Sequence, residues 1–243
     1  MLQAKISATP QTPPAKWRRL VGPGIASLIL LAALLSLGVW QSHRLVWKEA
    51  ILARIHQAEL APPVPLPAHP QPFEKVGVVG TWIADKAALY GDEVENSPAG
   101  PQRGGQLLMP LQRPDGSVLL VDLGWVPEST PVPYTVPAGL IQVSGYIAQP
   151  QEPGFFAGQD NPAQHIFYTR NPQKIGASLG LKHVENFVLV TLGPKPLSGW
   201  PDPAHNLPTP PNNHYQYELT WFGLAVVLVI EFIFYARKRL IED

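Results

Sequence analysis

Two long apolar runs, one near each end, constrain this chain of 243 residues more than any other feature. The first extends from about residue 20 to residue 40 without a charged side chain. The second extends from about residue 219 to residue 236 and is interrupted once, at Glu231. A helix rises about 1.5 Å per residue, so about 20 apolar residues cross a hydrocarbon core that is about 30 Å thick. The two runs therefore predict a hairpin of two transmembrane helices.

Positive charges flank both runs on the side away from the middle of the chain. They are Lys16, Arg18 and Arg19 before the first run, and Arg237, Lys238 and Arg239 after the second. Lys and Arg near the ends of a span favour the cytoplasmic side, so we expect both termini there and the middle segment on the opposite side. The first run could instead be a cleaved signal peptide, but its end lacks a small-x-small cleavage site, which favours a retained anchor.

Charge and cysteine content exclude several classes of function. Residues 41–218 carry 11 Lys and Arg against 15 Asp and Glu. A nucleic-acid-binding protein needs a basic patch or stripe, so nucleic acid is not an expected partner. The chain has no cysteine. This excludes thiol redox chemistry, Cys-ligated metal sites and covalent haem attachment through Cys-x-x-Cys-His.

Composition divides the rest of the chain. No Gly or Pro occurs from Trp40 to Leu60, so we expect the first helix to continue to about residue 60. Six prolines between residues 62 and 72 then predict a stiff, extended linker. The expected organisation is a cytoplasmic tail (1–19), a first transmembrane helix (20–40), the linker (61–72), a β-rich domain (73–193), a proline-rich return (194–217), a second transmembrane helix (218–236) and a cytoplasmic tail (237–243).

The middle domain contains short runs that are rich in β-branched and aromatic residues and are bounded by turn-forming residues. They predict strands at 73–83, 106–112, 117–125, 139–147, 165–168 and 186–192, and residues 173–181 predict a short helix. Pro114-Asp115-Gly116 predicts a hairpin turn, since Pro presets φ and Gly adopts a positive φ. The expected fold class is a membrane protein with a two-helix transmembrane hairpin and an extramembrane, mainly β domain, an antiparallel barrel or small sandwich.

Four motifs in order resemble the surfeit locus protein 1 (Shy) family. Residues 37–48 read LGVWQSHRLVWK, and Gly80-Thr81-Trp82 is followed by a segment that ends with GWVP at 124–127. Residues 212–222, at the entry to the second span, read NNHYQYELTWF. The resemblance covers about residues 25 to 239. Two positions depart from the family pattern: Leu123 stands where the family usually has Arg, and Glu218 stands where it usually has a small residue.

The resemblance implies a non-enzymatic role in the assembly of a haem-copper terminal oxidase, a cytochrome c or quinol oxidase. It implies that haem a is bound transiently for delivery to the catalytic subunit. The implied partners are that subunit, haem a synthase and membrane lipid. We expect a location in the bacterial inner membrane, with the main domain in the periplasm. The alternative is a membrane scaffold or accessory subunit of the oxidase that does not bind haem; an enzyme with a periplasmic active site ranks third.

The expected haem site lies at the outer ends of the two spans. His214 is the expected axial ligand of the haem iron, because neutral imidazole is a usual ligand. The alternative is an interfacial histidine that hydrogen-bonds to the loop. The other expected contacts are Gln41, His43, Arg44, Trp40, Trp47, Tyr217 and Trp221. His43 could complete a bis-imidazole site or face headgroups, Arg44 could pair with propionates or phospholipid, and the Trp side chains could stack on porphyrin or anchor the helix in the interface.

Two further sets of charges have simpler interpretations. A carboxylate such as that of Glu231 is energetically unfavourable within a membrane span. We therefore expect its side chain to reach toward Arg237 or Lys238, or else to contact a membrane partner. The remaining acidic cluster is expected to form a solvated loop: Asp85, Asp92, Glu93 and Glu95.

Overall fold

The computed structural model describes residues 17–97, 100–128, 137–155, 157–196 and 199–241. The expected N-terminal cytoplasmic tail (1–19) lies almost entirely outside the described residues. The chain divides into two compact units, one formed by residues 1–52 with 210–243 and the other by residues 53–209. Three α-helices are present in the described parts: α1 (Arg18–Leu60), α2 (Pro172–Ser178) and α3 (His214–Ile241).

The two long helices follow the apolar runs and extend beyond them. Helix α1 has 43 residues and ends at Leu60, which confirms the expected continuation past the first run. Helix α3 begins at His214, four residues before the expected start. The Asn212 side chain accepts a hydrogen bond from the His214 amide, and the Asn213 carbonyl accepts one from the Tyr217 amide, so these asparagines cap the helix. Both helices are long and apolar enough to cross a membrane, and little of their apolar surface is buried within the chain.

Eight strands form the sheet of the second unit. They are β1 (Val64–Pro65), β2 (Lys75–Trp82), β3 (Ala88–Ser97), β4 (Gly100–Gln112), β5 (Val118–Pro127), β6 (Ile141–Ala148), β7 (Ile166–Phe167) and β8 (Val184–Thr191). Their order is β1-β2-β6-β8-β5-β4-β3-β7, and β2 also pairs with β4. That additional pairing closes β2, β6, β8, β5 and β4 into a ring, which confirms a barrel-like domain.

The pairing is mixed rather than wholly antiparallel. Strands β5 and β8 are parallel, as are the short pairs β1–β2 and β3–β7. A connection of 35 residues, 149–183, separates β6 from β8, and it includes α2. Strand β8 returns antiparallel to β6 and therefore parallel to β5. Parallel neighbours need such long crossover connections, which local sequence patterns do not reveal.

The core of the barrel is built from alternating positions. Buried side chains two residues apart on the same strand point to one face, as the period of a strand requires. The resulting cluster contains Val76, Val78, Leu111, Leu119, Val121, Ile147, Phe187 and Leu189. Leu123, at the position where the resemblance implies an arginine, packs against this cluster. The side chain at this position therefore forms part of an apolar contact.

The expected acidic loop is largely wrong, because most of its residues lie on strand β3. Asp92, Glu93 and Glu95 lie on this strand, which pairs with β4. The Arg103 guanidinium donates to the Asp92 carboxylate at 2.7 Å, and the Gln106 amide donates to Glu93 at 2.9 Å. The strand is hidden in the sequence because Asp92 and Glu93 are exposed and the register shifts between Tyr90 and Glu93.

Two turns show why particular residue types are required. In the β4–β5 hairpin, Gly116 has a φ of 87° and Asp115 accepts hydrogen bonds from the Ser117 amide and hydroxyl, which confirms the expected turn. Gly124 has a φ of 114°, and the Asp202 carbonyl lies where its side chain would be. The return segment thereby reaches β5, where Trp125 and Asp202 exchange two backbone hydrogen bonds of 2.9 Å.

Candidate functional site

Helices α1 and α3 pack together within the first unit along one stripe of each helix. On α1 the buried positions are Leu34, Gly38 and Gln41, and on α3 the buried position is Ala225. A Cβ atom at Gly38 would lie 2.7 Å from the ring of Phe222. Glycine at this position lets the two helices approach closely, as small residues do at helix pairs in membranes.

A polar contact lies at the end of the stripe where α3 begins. His214 Nδ1 and Gln41 Oε1 are 2.8 Å apart, and the Gln41 residue is 7% exposed. The amide oxygen only accepts hydrogen bonds, so Nδ1 carries the proton and donates it. Nε2 then keeps its lone pair. This arrangement resembles metal-binding histidines, whose second nitrogen is held by a hydrogen bond that fixes the tautomer.

A second polar contact lies one helical turn further along α3. The Ser42 hydroxyl donates to Glu218 Oε1 at 2.7 Å. Glu218 is one of the two positions that depart from the pattern implied by the resemblance, and Ser42 on the opposite helix is its partner. Neither Ser42 nor Glu218 was among the site residues predicted from the sequence. Both could have been found from their spacing, since Ser42 follows Gln41 directly and Glu218 lies at i+4 from His214.

The indole of Trp221 faces the same stripe. Its Nε1 atom is buried and has no hydrogen-bond partner among the described residues. Trp221 follows His214 by seven residues, or about 10 Å along the helix axis. Buried indole N–H groups are normally paired, and the Nε1 atom of Trp125 in the β domain is likewise without a partner among the described residues.

The other expected site residues lie away from this stripe. Trp40 and Trp47 are about half exposed and lie on the opposite side of α1 from Gly38, at two and nine residues from it. His43 is exposed and follows Gln41 by two residues, so the structure does not bring it to His214. The Arg44 guanidinium lies over the Trp47 ring, 4.7 Å from its centroid. Tyr217 is exposed on α3.

A separate polar cluster lies in the barrel domain. The carboxylate of Asp122 is buried and accepts a hydrogen bond from the Gly124 amide at 3.0 Å. Burial raises the pKa of Asp122 to about 7, and the nearby Arg170 opposes this increase. Burial also raises the pKa of Tyr90 and of Tyr146. Among the residues that the structure describes, no group of three or more His, Asp or Glu side chains could hold a metal ion.

Two long apolar helices, one before and one after a barrel-like β domain, define the class of this protein. Residues 28–226, more than half of the chain, match the SURF1 family. The chain therefore belongs to this family, and the resemblance seen in residues 37–48 and 212–222 is confirmed.

Relatives in bacteria and eukaryotes match most of the chain. It is 29% identical over 225 residues to a SURF1-like protein of Rickettsia conorii, covering 88% of this chain and 91% of that protein. It is 27% identical over 218 residues to a SURF1-like protein of Monosiga brevicollis, covering 83% of each. It is 27% identical over 223 residues to Surfeit locus protein 1 of Homo sapiens, covering 82% of this chain and 72% of that protein.

Proposed function

We propose that this chain is a membrane-anchored assembly factor that holds haem a for insertion into the catalytic subunit of a haem-copper oxidase. The haem is cargo, and the chain itself catalyses no reaction. The single observation that carries the proposal is the hydrogen bond between His214 and Gln41, which leaves one imidazole nitrogen able to ligate iron. Family membership supports the same role.

The residues of the stripe fit a haem. His214 supplies the axial nitrogen, and Gln41 holds the ring in one tautomer. Trp221 supplies a buried N–H that lacks an acceptor among the described residues and suits a formyl, hydroxyl or carboxylate oxygen. Gln41 therefore acts as a positioning residue, and Trp221 as a residue that selects an oxygen-bearing substituent.

The two long helices and their flanking charges support membrane insertion. The helices present exposed apolar side chains along most of their length. Trp40 and Trp47, at the end of the apolar run of α1, and Tyr215 and Tyr217, near the start of α3, are exposed, and Trp and Tyr favour the headgroup level. The basic residues at the other ends favour cytoplasmic termini, so the β domain is expected in the periplasm of a bacterial cell.

Two basic residues of α1 suit the other expected partners. Arg44 and Lys48 lie beside the aromatic residues of α1, where they reach lipid phosphates or haem propionates. Haem a synthase is the expected donor, and the catalytic subunit is the expected acceptor.

Complementation of a deletion strain tests this function. In the strain that lacks the chain, we expect a lower haem a content of oxidase in isolated membranes, and expression of the full chain restores it. His214→Ala is expected to fail, whereas the matched variant His43→Ala restores the wild-type content. If His214→Ala restores oxidase as well as the wild type, the chain acts as a scaffold that never holds haem, and the proposal is wrong.

A further inference from the structure

We propose that Glu218 binds a hydroxyl group on the edge of the porphyrin, so that the site prefers hydroxyalkyl haems to haems with apolar substituents at the same position. Haem a and haem o carry such a hydroxyl group on their hydroxyethylfarnesyl chain, whereas haem b carries a vinyl group there. This inference rests on the proposed function, because it requires a haem that is bound through His214.

Glu218 brings a carboxyl group into the contact between α1 and α3. Its side chain is half-buried, and its Oε1 atom lies 2.7 Å from the Ser42 hydroxyl. In the part of the chain that the structure describes, Glu218 forms no ion pair and its Oε2 atom has no partner. Glu218 precedes the apolar run that begins at about residue 219, so it lies at the edge of the span. A carboxylate there only accepts hydrogen bonds, through two oxygens.

The contact offers more hydrogen-bond acceptors than donors. The Ser42 hydroxyl lies 2.7 Å from Glu218 Oε1 and 3.1 Å from the carbonyl oxygen of Gly38. It has one proton, so it fully satisfies only one of these two acceptors. The Nδ1 proton of His214 is already used by Gln41. A ligand group that completes this contact therefore has to be a donor, and a hydroxyl group is one.

Glu218 and His214 are neighbours on one face of α3. Residues four apart on a helix have Cβ atoms about 5 to 6 Å from each other. A porphyrin is wider than one helical turn, which is about 5.4 Å. A group on its edge can therefore reach Glu218 while the iron is bound to Nε2 of His214.

The other substituents of a haem do not suit this position. Formyl oxygens are acceptors, and propionates also carry a negative charge that the Glu218 carboxylate repels. Vinyl, ethyl and methyl groups would displace water from Glu218 without giving a hydrogen bond in exchange, and a polar group left unpaired costs free energy. Sites that hydrogen-bond a hydroxyl group of their ligand reject analogues without it for this reason. A hydroxyl group is thus the haem substituent that complements Glu218.

Two synthetic haems that differ only in hydroxyl groups test the selection. Iron haematoporphyrin has hydroxyethyl groups where iron mesoporphyrin has ethyl groups, and neither has a farnesyl tail. The haem-free full chain, purified in detergent, is titrated with each of them and with haem a, and the Soret band is followed. His214→Ala in the same detergent gives the background from haem in micelles. We expect iron haematoporphyrin to bind at least about tenfold more tightly than iron mesoporphyrin, the lower end of what a hydrogen bond to a charged group gives.

Substitution of Glu218 then tests the carboxylate. Glu218→Ala, which introduces a small residue of the kind that the resemblance implies, is expected to abolish the preference. Glu218→Gln is expected to reduce it to about threefold, because a hydrogen bond to a neutral acceptor is roughly half as strong. Glu231→Ala removes the other carboxyl group of α3 and is the control, with the wild-type preference expected. Glu231 is exposed and forms no ion pair among the described residues, so the expected contact with Arg237 or Lys238 is absent.

The outcomes separate this selection from the haem role itself. A wild-type chain that binds haem a but binds the two synthetic haems equally, or neither of them, would overturn the selection and leave the haem role supported. A preference that is unchanged in both Glu218 variants would do the same. If the wild-type chain binds no haem a above the background of His214→Ala, the haem role is contradicted, and the selection is wrong with it.

Discussion

Gln41 is the side chain on which the chemistry of His214 depends. Its amide oxygen accepts the Nδ1 proton at 2.8 Å from a position that is almost fully buried. The sequence puts both residues near one depth but gives no reason to pair them, because a hydrogen bond across two helices depends on the rotation and offset of the helices. Neither quantity is visible in a motif.

Gln41→Leu keeps the volume of the side chain and removes the acceptor. We expect haem affinity to fall by about 10- to 100-fold, as the loss of an outer-shell partner of a ligand does. Titration of the haem-free, detergent-purified chain with haem a measures this change. Gln41→Glu, which keeps an acceptor, and Gln57→Leu, the same substitution elsewhere on α1, serve as controls. An unchanged affinity in Gln41→Leu would show that Gln41 does not position the ligand.

Asp122 has a pKa of about 7 in the folded protein because its carboxylate is buried. The folded state therefore binds a proton more tightly than the unfolded state, whose pKa is about 3.9. The contribution of Asp122 to the free energy of unfolding is then highest below about pH 4, falls as the pH rises toward 7 and is constant above that, with a loss of up to about 4 kcal/mol.

Asp122→Asn is expected to remove most of this decline, since the amide does not ionise. Denaturant unfolding of the full chain in detergent between pH 4 and pH 8 measures it. Asp85→Asn, at an exposed position, is the control and should keep the wild-type profile. A difference in free energy of unfolding between wild type and Asp122→Asn that does not change from pH 4 to pH 8 would contradict a buried, protonated carboxylate.

The pairing of α1 and α3 depends on small volumes at their contact. Phe222 occupies the space beside Gly38, whereas a Cβ atom at Gly22 would meet nothing within 4 Å. The apolar runs predicted both helices correctly, because length and hydropathy are local properties. They did not predict which sides meet, since apolar residues surround both helices.

Gly38→Leu is expected to separate the helices near the site, while Gly22→Leu leaves them paired. The chain has no cysteine, so Ser42→Cys combined with Glu218→Cys provides a specific pair for a short bifunctional thiol reagent. We expect strong intramolecular crosslinking in this background, its loss with Gly38→Leu, and its recovery when Phe222→Ala is added. Crosslinking that persists with Gly38→Leu alone would show that Gly38 does not set the helix contact.

The elements of the β domain were predicted unevenly, for physical reasons. Strands with buried, β-branched residues such as β5 were found because both faces are apolar. Strand β3 was missed because Asp92 and Glu93 face solvent and Gly91, with a φ of 85°, lies where its register shifts. The parallel pairing of β5 and β8 depends on contacts far apart in sequence, so the closed ring could be expected only as a general class.

The whole molecule is expected to place its termini on one side of the membrane and its β domain on the other. The physical reason is that Lys and Arg residues cluster on the terminal side of each apolar run. A single cysteine at Leu140, which is 69% exposed in the β domain, should react with a membrane-impermeant maleimide in intact spheroplasts. A single cysteine at Trp17 should react only after lysis. The reverse pattern of labelling would contradict the orientation.

Haem binding by His214 is the central claim, and the visible spectrum of the purified chain tests it most directly. The full chain is expressed with haem a synthesis present, purified in detergent, and analysed for haem per protein and for its absorption bands. We expect bound haem in the wild type and in His43→Ala, and loss of most haem in His214→Ala. Haem content and bands unchanged in His214→Ala would contradict the claim.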